Sequence, residues 1–208
     1  MTTSTRRLGT EESKTRAALV QAAQQLMIEG GYAAVTSRRV ATKAGLKPQL
    51  VHYYFRSMDD LLLAVFRAGA EQNLQRQAAA LASDTPLRDL WEISNDRTGT
   101  ALAMEFLAMA NHREAIKKEI ATYAEHFRQL QADALGGVFK GYGIDIKRLP
   151  PLALVVMLTS LSRVLVLEAN LGVTTGHAEA RAMVERFLST HEPRRQKAAD
   201  RVKPAGAG

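Results

Sequence analysis

The segment Thr36–Arg56 constrains the fold more than any other stretch, because its residues predict two short helices joined by a tight turn. Thr36 is a good N-cap, since its hydroxyl can accept a hydrogen bond from a free amide of the first turn. Gly45 can adopt the left-handed conformation that ends a helix. Pro48 suits the first position of the next helix, where the N–H that it lacks would be unpaired. Two helices of this length with a glycine in the turn predict a helix-turn-helix.

Apolar residues flank both predicted helices in a pattern that supports this interpretation. Val35 precedes the cap Thr36, and Val40 lies four residues into the helix, so the two valines can form a hydrophobic staple. Leu46 and Val51 have the same spacing around the second helix. We therefore predict that both helices turn an apolar side inward.

Two arginines at the start of the first predicted helix indicate an anionic partner. Arg38 and Arg39 lie in its first turn, where the helix macrodipole disfavours cations. A DNA phosphate close to this helix terminus would offset the unfavourable charge. We predict that Thr36 and these two arginines bind phosphates.

The second predicted helix carries four side chains suited to DNA, namely Lys47, Gln49, His52 and Tyr53. Glutamine can bind an adenine edge through two hydrogen bonds, and lysine can reach guanine acceptors. Histidine and tyrosine can reach phosphates or thymine methyl groups. The alternative is a small amphipathic helix pair whose basic face is only solvated.

The motif continues beyond the two helices. In order, its residues are Thr36, Val40-Ala41, Ala44-Gly45-Leu46, Val51-His52-Tyr53-Tyr54-Phe55, Ser57 and Asp59-Asp60-Leu61. This order resembles the TetR family of bacterial transcriptional regulators, over about residues 12–65. The resemblance implies that helices 1–3 bind DNA and that the remaining helices form a ligand-binding and dimerisation domain.

The chain departs from the family pattern at three positions. Lys47 replaces the usual serine or threonine, and His52 replaces the usual tyrosine. Met58 replaces a lysine that often contacts phosphate in the family, and Arg56 is the residue expected to take over that contact. The residues expected to contact DNA are therefore Thr36, Arg38, Arg39, Lys47, Gln49, His52, Tyr53 and Arg56.

The net charge of +7 is unevenly distributed along the chain. Residues 1–60 carry nine basic and five acidic side chains, residues 191–208 carry five and two, and residues 61–190 carry fourteen of each. A localised basic region is typical of DNA-binding proteins. The rival interpretation is a small-molecule-binding or helical interaction protein without a DNA role, and this charge distribution argues against it.

Apolar residues recur at helical spacing throughout the chain, and no strand-like alternation is visible. The predicted fold is all-α with about nine helices: an N-terminal three-helix helix-turn-helix domain and a C-terminal helical ligand-binding and dimerisation domain. Helix 1 is expected at about Glu11–Glu29. The predicted divisions are a flexible arm at 1–10, whose Arg6 and Arg7 could reach the minor groove, the DNA-binding domain at 11–57, the ligand-binding and dimerisation domain at 58–190, and a disordered basic tail at 191–208.

Motifs of catalysis and of cofactor binding are not found in the sequence. There is no GxSxG, Walker, HExxH or GxGxxG motif, and the five histidines lack metal-ligand spacing. We predict that the chain is not an enzyme and needs no cofactor or metal. Zero cysteines and no apolar N-terminal leader favour the cytoplasm. Pro150, Pro151, Arg163 and Glu168 interrupt the most apolar run, which favours a core helix over a membrane span.

The expected function is that of a ligand-responsive regulator, a repressor, which binds a palindromic DNA operator as a homodimer. A mostly apolar small molecule is expected to release it. Bulky side chains of the middle helices could form a pocket or an ordinary core. The residues expected to bind the effector are Trp91, Met104, Phe106, Tyr123, Phe127, Met157 and Arg163.

Arg163 is expected to be a buried charge within an apolar helix, where it needs an anionic partner. That partner could be Glu105, Glu125 or Glu168, or else the polar end of the effector. The last two long helices are apolar around much of their circumference, and we predict that they pack against their copies across a two-fold axis.

Overall fold

The computed structural model describes residues 3–192, with side chains from residue 13 onward. Within these residues the chain forms nine α-helices, one short 3-10 turn and no β-strand, which confirms the predicted all-α class. The helices are α1 (Thr3–Gly30), α2 (Ser37–Ala44), α3 (Gln49–Tyr54), α4 (Met58–Leu81), α5 (Pro86–Ser94), α6 (Arg97–Ala110), α7 (Glu114–Gly141), α8 (Pro151–Asn170) and α9 (His177–His191), with the 3-10 turn at Tyr32–Ala34 between α1 and α2.

The ends of the described chain differ from expectation. Helix α1 begins at Thr3, ahead of the start expected near Glu11. The side chains of Arg6 and Arg7 lie outside the described part, and so do residues 193–208 of the predicted tail. The tail was expected to begin at His191, but His191 ends α9 and Glu192 is buried, so these two residues belong to the fold.

The turn between α2 and α3 is closed by the predicted capping groups. The Thr36 hydroxyl oxygen accepts the Arg39 N–H at 3.4 Å, and Gly45 has a left-handed φ of 68°. The Leu46 N–H then donates to the Ala41 carbonyl at 2.9 Å, and the Gly45 N–H donates to the Thr42 carbonyl at 3.1 Å. This pair of bonds is a Schellman motif, which satisfies the last carbonyls of α2 and turns the chain into α3.

The first compact unit comprises Met1–Gln75 and Asp96–Gln129. The buried faces of α1–α4 pack in one core with three side chains from α6 and α7, namely Phe106, Met109 and Ile116. The helix-turn-helix therefore shares its core with two later helices. This grouping does not follow the expected boundary at residue 57, and the functional division at that point stays a prediction.

The second unit comprises Arg76–Asn95 and, of the later residues that the structure describes, 130–192. Its core joins the end of α4, α5, the end of α7, α8 and α9, around residues such as Leu87, Leu135, Phe139, Leu154 and Leu188. Burying each such side chain contributes about 1.5–3 kcal/mol relative to leaving it exposed.

Helix α8 buries one side and exposes another apolar side. Leu154, Val155, Leu165 and Val166 are buried. Leu152, Val156, Met157, Val164 and Leu167 are exposed. By length and composition alone, α8 is the single helix of the described part that could cross a membrane. Its exposed side is an apolar surface that a protein partner can cover.

The Glu192 carboxylate joins the end of α9 to the start of α5. It accepts the Leu87 N–H at 3.0 Å, the Arg88 N–H at 2.8 Å and the Tyr142 hydroxyl at 2.8 Å. Because α5 has no side-chain cap of its own, this carboxylate satisfies amides of its first turn. Burial, together with the bond to Glu192, raises the pKa of Tyr142 to about 12.

We predict that Glu192→Ala lowers the free energy of unfolding by about 2–3 kcal/mol, because one buried and two partly buried donors lose their acceptor. Glu179→Ala, at an exposed position on the same helix, serves as the control and should cost less than about 1 kcal/mol. Urea denaturation followed by circular dichroism measures both values. Equal losses in the two variants would contradict the capping role.

Candidate nucleic-acid interface

The start of α2 presents the first group of predicted DNA contacts. Thr36, Arg38 and Arg39 are all exposed, whereas Val40 and Ala41 of the same helix are buried. The Thr36 oxygen that caps the helix still has its own O–H to donate. Two guanidinium groups, a hydroxyl and the helix terminus together form a surface suited to phosphate oxygens.

Helix α3 presents the second group. Gln49, His52 and Tyr53 are exposed, and the Tyr53 side chain keeps 68% of its surface open. Val51 and Phe55 on the other side are buried, with 1% and 3% of their surfaces exposed. The helix therefore has one side fixed in the core and one side exposed to solvent.

Lys47 and Arg56 lie on either side of α3, and both are exposed. The structure thus brings all eight predicted DNA contacts onto α2, α3 and the residues flanking them. We call the eight residues Thr36, Arg38, Arg39, Lys47, Gln49, His52, Tyr53 and Arg56 the recognition surface. Their contact with DNA stays a prediction.

Two residues that the sequence places close to this surface, Lys43 and Met58, add no net positive charge to it. The Lys43 ammonium binds both carboxylate oxygens of Glu29, at 2.7 and 2.8 Å, so its charge is balanced within the fold. Met58 packs against the first core.

Arg16 is a basic residue close to the recognition surface that sequence reasoning missed. Its guanidinium carbon lies 5.1 Å from the centroid of the Phe55 ring, and the side chain is otherwise exposed. A cation over an aromatic face is attracted to the ring. Arg16 therefore places a positive charge beside the C-terminal end of α3. Because Arg16 and Phe55 are far apart in the sequence, no local pattern could have paired them.

Three carboxylates attach the helix-turn-helix and the start of α4 to α6 and α7. Glu105 on α6 accepts the Tyr32 N–H at 2.7 Å, at the 3-10 turn that leads into α2. The Arg113 guanidinium binds the Asp59 carboxylate. Arg67 binds Glu119 through two bonds of 2.7 and 2.9 Å. These bonds hold the pKa of the Glu119 carboxyl below its ordinary value.

The backbone before the 3-10 turn fits closely around Glu105. Gly31 has a φ of 71°, and a Cβ at this position would lie 3.1 Å from a carboxylate oxygen of Glu105. A side chain at position 31 would therefore be strained and would crowd the carboxylate. The sequence marks the two glycines as a helix stop, but it contains no sign of their distant partner.

Four of the predicted effector residues lie in the first unit. Phe106 and Tyr123 contact Phe66 edge to face, with ring centroids 5.3 and 5.5 Å apart, and Phe127 stacks on Tyr123 at 5.7 Å. The Tyr123 hydroxyl donates to the Ala70 carbonyl at 3.2 Å and accepts from the Asn73 amide at 3.1 Å. Burial raises the pKa of Tyr123. Met104 is half-buried on α6. These aromatic rings pack tightly against one another.

The other three, Trp91, Met157 and Arg163, lie in the second unit. Trp91 packs against the second core, whereas 53% of the surface of Met157 is exposed. The expectation that Arg163 is a buried charge is wrong, because its side chain is exposed on α8. Of its expected acidic partners, Glu105 binds the Tyr32 amide and Glu168 binds His177 at 2.8 Å. Effector binding by these seven residues stays a prediction.

Comparison with known proteins agrees with this arrangement. The family model described as bacterial regulatory proteins, tetR family, matches residues 19–65. The HTH-type transcriptional regulator BetI of Rhizobium meliloti (strain 1021) is 30% identical over 132 residues, which cover 59% of this chain and 64% of BetI. The chain thus matches under two thirds of the length of that relative.

Two solved structures have the same fold. A TetR-family regulator from Rhodococcus sp. superimposes with a TM-score of 0.68 at 19% identity, over 86% of this chain and 99% of that one. A regulator from Saccharomonospora viridis, solved in complex with choline, gives 0.69 at 20% identity, over 85% and 96%. Residues 19–65 thus match the tetR family model, and the described chain has the fold of these regulators. The residues matched by the TetR model run from α1 into α4 and include the whole recognition surface.

We predict that Glu105→Ala accelerates hydrogen exchange of the Tyr32 amide about three- to tenfold, because the amide loses its acceptor in a partly exposed place. Glu105→Gln keeps a carbonyl oxygen and should have a smaller effect. Glu125→Ala, at an exposed position of α7 in the same unit, should have none. Exchange measured by NMR on the full chain distinguishes these results. An unchanged rate in Glu105→Ala would show that this carboxylate does not hold the turn.

Proposed function

We propose that this chain is a TetR-family, ligand-responsive, DNA-binding transcriptional repressor that binds a palindromic operator as a homodimer. The observation that carries the proposal is the recognition surface. Eight polar or basic side chains are exposed on α2, α3 and their flanks, above a core that holds the other side of both helices. A basic surface of this kind on a helix-turn-helix is suited to DNA.

In this proposal α3 lies in the major groove. Gln49 and Lys47 bind base edges there and determine the sequence preference. Arg38 and Arg39 bind phosphates from the N-terminal end of α2, which positions the domain without selecting a sequence. Arg56 supplies the phosphate contact that the family usually assigns to position 58.

A dimer follows from both the DNA and the protein. One small helix-turn-helix gains affinity and specificity by binding two half-sites with two-fold symmetry. The exposed apolar residues of α8, together with Met183 on α9, are candidates for a self-complementary interface. We expect this surface to be covered by the same surface of a second copy. We also expect the protein to work in the cytoplasm, with α8 in the dimer interface and not in a membrane.

A small molecule is expected to release the operator by changing the position of α4. Recognition helices of a dimer must reach major grooves about 34 Å apart, so a small change in their spacing weakens binding. The effector is expected to be mostly apolar. Choline is one compound to include in a screen, because the Saccharomonospora viridis regulator was solved with it. We expect the chain to act as a regulator without a catalytic step of its own.

We predict different effects for the two kinds of DNA contact. Gln49→Ala should change the preferred half-site base, at a cost of about 1–3 kcal/mol. Arg39→Ala should weaken all sequences alike and reduce the salt dependence of binding by about one ion. Gel shifts with DNA upstream of the protein's own gene, at two salt concentrations and with single-base variants, measure both. Indistinguishable profiles for the two variants would contradict these roles. No binding of any such DNA by the unchanged protein would oppose the proposed function.

We also predict a stable dimer that buries more than about 2,000 Å². Val156→Arg should dissociate it, since the charge would lie in an apolar interface. Ile146→Arg, at an exposed apolar residue outside α8 and α9, should leave it intact. Sedimentation velocity at micromolar concentration and physiological salt measures the mass. A monomeric unchanged protein under these conditions would rule out the dimer.

A further inference from the structure

The second unit contains a small, partly open cavity among α5, α7 and α8. Its volume is about 20 Å³, and leucine side chains form most of its wall, including Leu87, Leu135 and Leu158. Such a volume accommodates one water-sized group. The polar lining consists of Gln131, Thr159 and Ser94, and no charged side chain takes part.

Gln131 is the polar group that gives this cavity its chemistry. The side chain is buried, with 7% of its surface exposed. Its Nε2 donates to the Oε1 of Gln77, which is also buried and does not line the cavity. Its own Oε1 is buried and has no hydrogen-bond partner among the described residues. A buried amide oxygen without a partner is unfavourable, so this atom needs a donor.

The wall decides which donor fits. A carboxylate ligand would need a cationic side chain close to it. A quaternary ammonium group has no N–H to donate, and it is held by carboxylates or aromatic faces. The lining of the cavity contains no cationic, acidic or aromatic side chain. A neutral molecule with one hydroxyl and a hydrocarbon body satisfies the amide oxygen and the leucines together.

We propose that this cavity binds a small, neutral, mainly aliphatic alcohol, whose hydroxyl donates a hydrogen bond to Oε1 of Gln131. The hydroxyl occupies the water-sized space, and the hydrocarbon part lies along the leucine side chains, which adjust their rotamers to admit it. The role of this molecule as the effector rests on the proposed function. The binding site itself does not depend on DNA binding.

The same residue offers a route from the cavity to α4. Gln77 lies on α4, and the amide pair joins this helix to α7 within the second unit. Helix α4 begins beside the recognition surface, where the Ser57 hydroxyl oxygen accepts the Asp60 N–H at 3.1 Å. A ligand that moves Gln131 therefore changes the hydrogen bond that Gln131 makes with Gln77 on α4.

The first experiment compares two ligands of equal size. 1-Hexanol and pentyl methyl ether have the same heavy atoms, but only the alcohol can donate a hydrogen bond. Binding to the full-length protein is followed by the shift of the Gln131 side-chain amide resonances in NMR titrations. We expect the alcohol to bind at least about tenfold more tightly than the ether, because the ether leaves the amide oxygen unpaired. Hexanoate and hexyltrimethylammonium should not bind at this site.

The second experiment removes the amide pair. The double variant Gln77→Leu, Gln131→Leu replaces both partners with apolar groups and leaves no single amide unpaired, so it should fold. It should lose the preference for alcohol over ether, measured by the rise in melting temperature. Gln129→Leu, at an exposed glutamine of the same helix, is the matched control and should keep the preference.

Three outcomes would overturn the inference: equal binding of alcohol and ether, an alcohol preference that persists in the folded double variant, or an ordered water at Gln131 that 1-hexanol does not displace. None of these readouts contains DNA. A protein that shifts operator DNA but fails the ligand tests retains the proposed function and loses only this site. Selective alcohol binding by a protein that shifts no DNA would support this site and oppose the proposed function.

Discussion

The recognition helix depends on the burial of its two anchoring side chains. A helix of six residues is not stable alone in water, because too few backbone hydrogen bonds offset the cost of nucleation. Helix α3 persists because Val51 and Phe55 are buried in the first core. That core also holds Phe106 and Ile116 from α6 and α7. The recognition surface is therefore stabilised by helices that come much later in the chain.

This dependence explains which features could be predicted from the sequence. Caps and turns act over a few residues, so the roles of Thr36 and Gly45 follow from the local order and are found in the structure. The exposed and buried sides of α3 follow from the same order. The contact between Glu105 and the Tyr32 amide joins residues from different helices, and so does the cation over Phe55. No spacing rule pairs such residues before the packing of the helices is known.

The error over Arg163 has a physical origin in α8. An apolar run with one arginine suggests a buried charge only if the helix is surrounded by its own chain. Helix α8 buries one side and leaves Val156, Val164 and Leu167 exposed on another, so an arginine can lie in water within the same apolar sequence. Composition determines that the helix is apolar, whereas the position of its neighbours determines which residues meet solvent. The apolar sequence of α8 therefore predicts a dimer surface, but it does not determine whether a single charged residue within it is buried.

Two buried polar side chains in the second unit differ in whether their hydrogen-bonding groups all have partners. This difference distinguishes a structural role from a binding role. The Glu192 carboxylate accepts three hydrogen bonds from the chain itself. Gln131 donates one bond to Gln77 and leaves its oxygen unpaired beside a cavity lined by leucines. The first group lowers the free energy of the folded chain by itself. The burial of Gln131 is favourable only when a hydrogen-bond donor reaches its oxygen. We therefore expect the occupancy of the cavity and the position of Gln77 on α4 to depend on each other.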